Sequence, residues 1–138
     1  MKNSQDNVVI VGASHAAAEA ISTLRRAGWS ERITLIGDEK PLPYQRPPLS
    51  KAYYKGEVSV EKLAIKNPAF YEKAEVDLVL GKRVESINRD NKEVVLDDGN
   101  KIGFTKLILA TGTRARTLPI EGADAPCVKY LRTVEDVD

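Results

Sequence analysis

The hydrophobic pattern near the N-terminus changes from that of a strand to that of a helix. Residues 8–11 are an unbroken apolar, β-branched run, which predicts a strand buried on both faces. Gly12 ends the run, and from Ser14 apolar residues recur at helical spacing as far as Gly28. This stripe consists of Ala16, Ala17, Ala20, Ile21, Leu24 and Ala27. A strand, a glycine turn and a helix in this order direct free backbone N–H groups at one point, which attracts phosphate.

The turn follows the dinucleotide-binding spacing G-x-G-x-x-G/A with one departure. Its three positions are Gly12, Ser14 and Ala17. Gly12 makes the turn and Ala17 keeps the helix against the strand, but Ser14 carries a hydroxymethyl group where bare backbone is typical. Its hydroxyl either donates to a phosphate or caps the helix. The turn therefore predicts a phosphate cradle, with an ordinary βα turn as the alternative.

A second apolar strand, predicted over residues 32–36, follows the helix after a short link and completes a βαβ unit. Asp38 comes directly after this strand, about 20 residues beyond the glycine turn, where a carboxylate holds the ribose hydroxyls of an adenosine. Glu39 is the neighbouring candidate. The alternative is a solvated acidic loop.

A proline-rich stretch over residues 40–51 predicts a stiff, ordered connection, because its four prolines forbid a regular helix or central strand. Pro47 and Pro48 suit the first turn of a short helix running to about Tyr54. A rigid loop that holds Arg46 and Lys51 beside a nucleotide forms an anion or cofactor clamp. Solvated surface cations are the alternative.

The remaining pattern predicts a small antiparallel β-meander and a third buried strand. A short helix begins at Asn67-Pro68, and the meander covers about 76–104, with strands at 76–80, 83–87, 93–96 and 102–104. The apolar strand 107–110 then ends in Thr111-Gly112, at the carboxyl edge where ligands bind in open α/β sheets. The predicted fold class is α/β, a Rossmann-like parallel sheet with a small antiparallel meander.

Composition narrows the possible partners. The 21 basic and 20 acidic residues leave a net charge of +1, which gives no reason to expect nucleic acid or an anionic membrane as partner. The lone cysteine, Cys127, excludes an intrachain disulfide, a cysteine metal cluster and disulfide-reductase chemistry within this chain. The N-terminus is polar and lacks a signal-peptide core, so we expect a cytoplasmic protein. We expect no metal site.

Four features in this order resemble one family: the βαβ unit, the run R-P-P-L-S-K at 46–51, the meander, and L-A-T-G at 109–112. L-R-T-x-E-D at 131–136 adds to the resemblance. Together they resemble the start of the FAD-dependent ferredoxin and rubredoxin reductases. These putidaredoxin-reductase-like proteins belong to the pyridine nucleotide-disulfide oxidoreductase superfamily and serve oxygenases and cytochrome P450 systems. The resemblance implies a flavoprotein that takes hydride from NAD(P)H onto FAD and passes single electrons to a ferredoxin or rubredoxin.

Two alternatives remain, an NADH oxidase or nitrite-reductase-type flavoprotein and a non-catalytic nucleotide-binding module. The βαβ unit alone permits all of them. The R-P-P-L-S-K run favours the reductase over the module, because a sensor needs no cation at a flavin edge.

The resemblance also implies a role for each site residue. Lys51 occupies the catalytic position near the reactive edge of the isoalloxazine, where a cation stabilises the anionic reduced flavin. In the family, this lysine is partnered by an acid of the nicotinamide-binding domain. The other implied FAD contacts are the turn Gly12, Ser14, His15, Ala16 and Ala17 for the pyrophosphate, Asp38 for the ribose, Val84 for the adenine, Arg46 for the flavin, Ala110, Thr111 and Gly112 closing over the cofactor, and Arg132 for the pyrophosphate or ribityl chain.

The family's domain plan implies that this chain is a fragment of a two-dinucleotide-domain flavoprotein. Residues 1–113 correspond to the N-terminal part of the FAD-binding domain, and residues 114–138 to a linker toward an NAD(P)H-binding domain outside the chain. We therefore expect the chain alone to bind FAD weakly, if at all, and not to oxidise NADH.

Overall fold

The computed structural model describes residues 6–138 and confirms the βαβ unit. Strand β1 (Asn7–Val11) is followed by helix α1 (His15–Arg26) and strand β2 (Arg32–Gly37). The two strands pair in parallel, with Val9 opposite Thr34. All of β1 and all but the first residue of β2 are buried, as continuous apolar runs predict.

The chain then builds a parallel sheet and a separate antiparallel sheet. Beyond β2 its elements are α2 (Pro68–Lys73), β3 (Val76–Leu80), β4 (Val84–Asn88), β5 (Glu93–Leu96), β6 (Lys101–Gly103) and β7 (Lys106–Leu109). Short 3-10 helices cover Pro47–Ser50, Val60–Leu63 and Val134–Asp136. The parallel sheet has the order β3-β2-β1-β7, and the meander has the order β4-β5-β6.

The assignment of residues 76–80 to the meander was wrong. Strand β3 pairs in parallel with β2, with Ile33 opposite Val76, so the meander contains β4 to β6 alone. Beyond β3, the amide of Gly81 donates to Glu39 O at 3.1 Å and that of Lys82 to Gly37 O at 3.0 Å. These bonds hold residues 81 and 82 beside the end of β2, and the first strand of the meander begins after them.

Two other elements differ from the sequence prediction. The helix expected from Pro47 to about Tyr54 is a 3-10 helix of four residues followed by turns. Strand β7 forms where an apolar strand was predicted, but β1 is its sole partner among residues 6–138 and Leu109 is 60% exposed. An edge strand lacks a neighbouring strand on one side, so its apolar sequence does not guarantee that its side chains are buried.

The parallel sheet is covered on both faces. Helices α1 and α2 bury Ile21 and Tyr71 against Ile10 and Leu35 on one face. The meander buries Val94 and Leu96 against β1 and β2 on the other. A third cluster lies beside the sheet and joins the proline-rich loop to the last residues of the chain; it consists of Tyr44, Leu49, Leu63 and Val134. No helix within the described residues has the length and apolar character needed to cross a bilayer.

Candidate functional site

A cleft of about 820 Å³ opens at the carboxyl edge of the parallel sheet, where β1, β2 and β7 end. This is the position at which open α/β sheets bind ligands, and the volume lies within the usual range for ligand sites. Twelve of the sequence-predicted residues line it: Gly12, Ser14, His15, Ala16, Asp38, Glu39, Arg46, Val84, Ala110, Thr111, Gly112 and Arg132.

Gly12 lies where the ends of the three strands come together. Its amide donates to Ile36 O at 2.8 Å, and the amide of Ala110 donates to Val11 O at 2.7 Å. Gly12 has φ +104°, and a Cβ added there would lie 2.1 Å from Ala110 O. The turn thus has no room for a side chain, which leaves bare backbone facing the cleft.

Ser14 is the N-cap residue of α1, yet its hydroxyl makes no capping bond. Its carbonyl accepts from the amide of Ala18 at 3.0 Å, while its backbone is extended at φ −141°, a conformation that tolerates a Cβ. Of the two roles open to the hydroxyl, the structure excludes helix capping and leaves the group free to donate to a ligand.

Ala17 is fully buried and does not line the cleft. It packs in the cluster of Val8 and Ile10, which is the helix–strand contact expected of the third motif position. His15 and Ala16 are exposed at the start of α1 and do line the cleft.

The two acids after β2 differ in their surroundings. Asp38 is exposed at the cleft, and no ion pair involves it within residues 6–138. Glu39 is half-buried, pairs with Arg46 at 2.6 Å through Oε1, and accepts a hydrogen bond from the Tyr44 hydroxyl through Oε2. Glu39 is held by these two partners, whereas Asp38 is exposed at the cleft without an ion pair among the described residues, so Asp38 fits the ribose role better.

Arg46 is the most constrained cation of the site. Its Nη1 donates to Arg132 O at 2.8 Å and to the Tyr44 hydroxyl at 3.0 Å, whereas its buried Nε has no partner in the described chain. Burial opposes its charge, but the hydrogen bond and ion pair with Glu39 prevail and raise the pKa of Arg46 above its ordinary value. Burial and the bond to Glu39 raise the pKa of Tyr44 to about 12, so Tyr44 remains a neutral donor.

Arg132 is a second cation that the fold brings to the cleft. Its Nη2 lies 3.6 Å from the position that a Cβ would occupy on Gly112. Its amide donates to Asp136 Oδ2 at 2.7 Å, and its carbonyl accepts from Arg46. Its backbone is therefore held on both sides while its guanidinium faces the end of β7.

The structure does not bring Lys51 to this cleft. Its side chain is exposed and is not among the residues that line the cleft. Sequence reasoning missed three cations that do line it, Lys82, Arg83 and Arg114. Lys82 pairs with Asp98 at 2.7 Å. Lys82 and Arg83 follow the carboxyl end of β3, and assigning β3 to the parallel sheet would have located them at this edge.

The cleft combines groups that suit a dinucleotide. Backbone amides at the start of α1 and the Ser14 hydroxyl, which makes no capping bond, suit a phosphate, and Asp38 suits a ribose.

Comparison with known proteins decides the family. The model of the pyridine nucleotide-disulphide oxidoreductase family matches residues 6–138. The chain belongs to this family. Despite the family's name, this chain contains a single cysteine, Cys127, which is exposed.

Named relatives of this chain are reductases. It is 43% identical over 99% of its length to putidaredoxin reductase from Pseudomonas putida, and 45% identical over 96% to rhodocoxin reductase from Rhodococcus erythropolis. The crystal structure of the covalent putidaredoxin reductase–putidaredoxin complex superposes with a TM-score of 0.85, at 42% identity over 98% of the chain and 33% of that protein. The chain spans about a third of these relatives, 33% and 31% of the two reductases.

Proposed function

We propose that the chain is the FAD-binding part of a reductase that takes hydride from NAD(P)H and passes electrons singly to a ferredoxin or rubredoxin. Homologues in the family are FAD-dependent and use NAD(P)H. The observation that carries the proposal is the cleft itself, where the Gly12 turn, Asp38 and Arg132 surround one space at the sheet edge. The names of the relatives favour a reductase over an NADH oxidase or a nucleotide-binding module.

In this proposal, each part of the cofactor has residues suited to it. The α1 turn and the Ser14 hydroxyl hold the pyrophosphate, and Asp38 accepts from the ribose hydroxyls. Val84 borders the adenine, Arg46 approaches the flavin side, and residues 110–112 close over the cofactor. When bound, FAD supplies the hydride-accepting and one-electron chemistry. We retain Lys51 as the residue at the flavin edge, although its exposed side chain lies outside the cleft formed by this chain.

The proposed domain plan extends beyond this chain. Residues 1–113 form the first part of the FAD-binding domain, and residues 114–138 lead toward the domain that binds NAD(P)H. The partner of the whole protein is an iron–sulfur electron carrier, and we place the protein in the cytoplasm.

Titration of the chain with FAD and with ADP, followed by calorimetry or flavin fluorescence, tests the cleft. We expect weak binding of both ligands, lowered about tenfold by Asp38→Asn, because a charge-assisted hydrogen bond is lost. Asp90→Asn is the matched control, since Asp90 is exposed and lies outside the cleft. Equal affinities of the two variants, or no binding of either ligand by the full-length protein, would refute the site.

The activity itself is tested on the full-length protein. Flavin absorption that bleaches on adding NADH, with electrons then passed to an added ferredoxin or rubredoxin, is the expected result. A colourless protein that binds NADH supports the module. A flavoprotein that reduces oxygen and no iron–sulfur carrier supports the oxidase.

A further inference from the structure

We propose that Glu39, although adjacent to Asp38, is a positioning residue that holds Arg132 in the cleft through Tyr44 and Arg46. We name the group Glu39, Tyr44 and Arg46 the polar latch. This inference rests on the proposed function, because it concerns how the cation at the phosphate-binding edge reaches its place.

The latch is a closed unit of three side chains. Glu39 Oε1 pairs with Arg46 Nη2 at 2.6 Å, and Glu39 Oε2 accepts from the Tyr44 hydroxyl. Arg46 Nη1 donates to that same hydroxyl at 3.0 Å, and its guanidinium carbon lies 5.0 Å from the centre of the Tyr44 ring. The side chains of Arg46 and Glu39 are only 19% and 21% exposed, so the pair is screened little by water.

The latch binds the backbone of a segment distant in sequence. Arg46 Nη1 donates to Arg132 O at 2.8 Å, and the amide of Val134 donates to the Tyr44 hydroxyl at 3.1 Å. The Val134 side chain is 7% exposed and packs beside Tyr44 and Leu49. Polar and apolar contacts therefore hold residues 132–134 against the proline-rich loop.

Asp136 completes the hold on Arg132. Its Oδ2 accepts from the amides of Arg132 at 2.7 Å and Thr133 at 2.6 Å. The amide and the carbonyl of Arg132 are thus both bound, and its guanidinium is left beside Gly112 at the cleft. A change in the latch should therefore move this cation relative to the α1 turn.

Using Glu39 as a ribose ligand instead would break this unit. To turn toward a ribose, Glu39 would have to release Arg46 and leave a largely covered guanidinium without its counter-charge, which is destabilising. Asp38 carries no such commitment among the described residues. The two adjacent acids therefore have different roles: Asp38 binds the ligand, and Glu39 positions Arg46 and Tyr44.

A set of double variants separates positioning from direct contact. The FAD affinity of the full-length protein is measured for four single variants, Glu39→Gln, Tyr44→Phe, Asp38→Asn and Arg132→Ala. It is also measured for each of the first three combined with Arg132→Ala. We expect Glu39→Gln and Tyr44→Phe each to weaken binding about three- to tenfold, with no further loss once Arg132 is gone, because they act through it. Asp38→Asn should lower affinity by the same factor with and without Arg132.

Hydrogen exchange of the Val134 amide provides a second readout, and we expect it to accelerate in Tyr44→Phe and not in Asp38→Asn. Tyr44→Phe keeps the ring in its apolar cluster, so it tests the latch even if Glu39→Gln disturbs folding. Loss of affinity in Arg132→Ala but in neither latch variant would overturn the latch and leave the proposed function standing. An additive effect of Glu39→Gln on Arg132→Ala would overturn it too, by showing that Glu39 acts on the ligand directly or through Arg46 rather than through Arg132. No FAD binding by the unsubstituted full-length protein would refute both.

Discussion

Substitution of Gly37 by alanine tests whether the end of β2 is packed directly against the turn between β1 and α1. A Cβ at residue 37 would lie 2.4 Å from Ala13 Cβ, and Ala13 lines the cleft. Ordinary carbon contacts begin at about 3.5 Å, so roughly 1 Å of movement is required. The next atoms, Ala13 N and Leu80 Cδ2, are both at 3.5 Å, so the conflict is with one methyl group.

The magnitude follows from that single overlap. Overpacking of this kind costs about 1–3 kcal/mol of unfolding free energy. Ala13→Gly alone should cost about 0.5–1 kcal/mol, mainly through the added chain entropy of the unfolded state. Because Ala13→Gly removes the opposing methyl group, the double variant should recover most of the Gly37→Ala loss, giving a favourable coupling of about 1–2 kcal/mol.

Urea unfolding followed by far-ultraviolet circular dichroism measures all four members of the cycle. Gly103→Ala is the matched control, because its added Cβ would meet nothing closer than Lys92 O at 3.9 Å. We expect this control to stay within about 0.5 kcal/mol of the parent chain. A Gly37→Ala variant as stable as the control, or a double variant no more stable than Gly37→Ala, would refute the packing argument.

Two further predictions concern the ends of the site. Ser14→Ala should weaken FAD binding about three- to tenfold, because the hydroxyl is lost as a donor to the ligand. Helical circular dichroism should be unchanged, because the hydroxyl makes no capping bond, and a loss of helix would contradict this. Ser14→Thr keeps a hydroxyl and should retain affinity. Hydrogen bonds from the backbone of Thr133 and then of Arg132 hold the pKa of Asp136 below its usual value. A depressed folded-state pKa means that its capping contribution is complete above the unfolded-state pKa, about 3.9, and is lost as the pH falls through the folded-state pKa. The Thr133 amide resonance should therefore shift with an acid midpoint in a nuclear magnetic resonance titration and show no such transition in Asp136→Asn; a shift at the same midpoint in that variant would contradict the assignment.

Local pattern was sufficient for the parts of the fold whose burial is independent of distant partners. The run at 8–11, the stripe of α1 and the run at 32–36 each have one compatible element, and their order places Gly12 at the carboxyl edge of a sheet. Asp38 follows from the same topology, since the end of β2 lies beside the end of β1. Local pattern could therefore assign the Gly12 turn and Asp38 to one cleft, whereas Val84 and Arg132 were predicted only from the family resemblance.

Tertiary structure decided everything that depended on choosing a partner. The pattern of residues 76–80 is compatible with a strand in either sheet. Its parallel pairing with β2, from Ile33 opposite Val76 to Gly37 opposite Leu80, places it in the parallel sheet, and the bonds of Gly81 and Lys82 extend that pairing. The sequence favours Asp38 for the ribose and keeps its neighbour Glu39 as a second candidate. The fold distinguishes them because it brings Arg46 to Glu39 and leaves Asp38 facing the cleft, and side-chain pairing across a loop is not encoded in any local period.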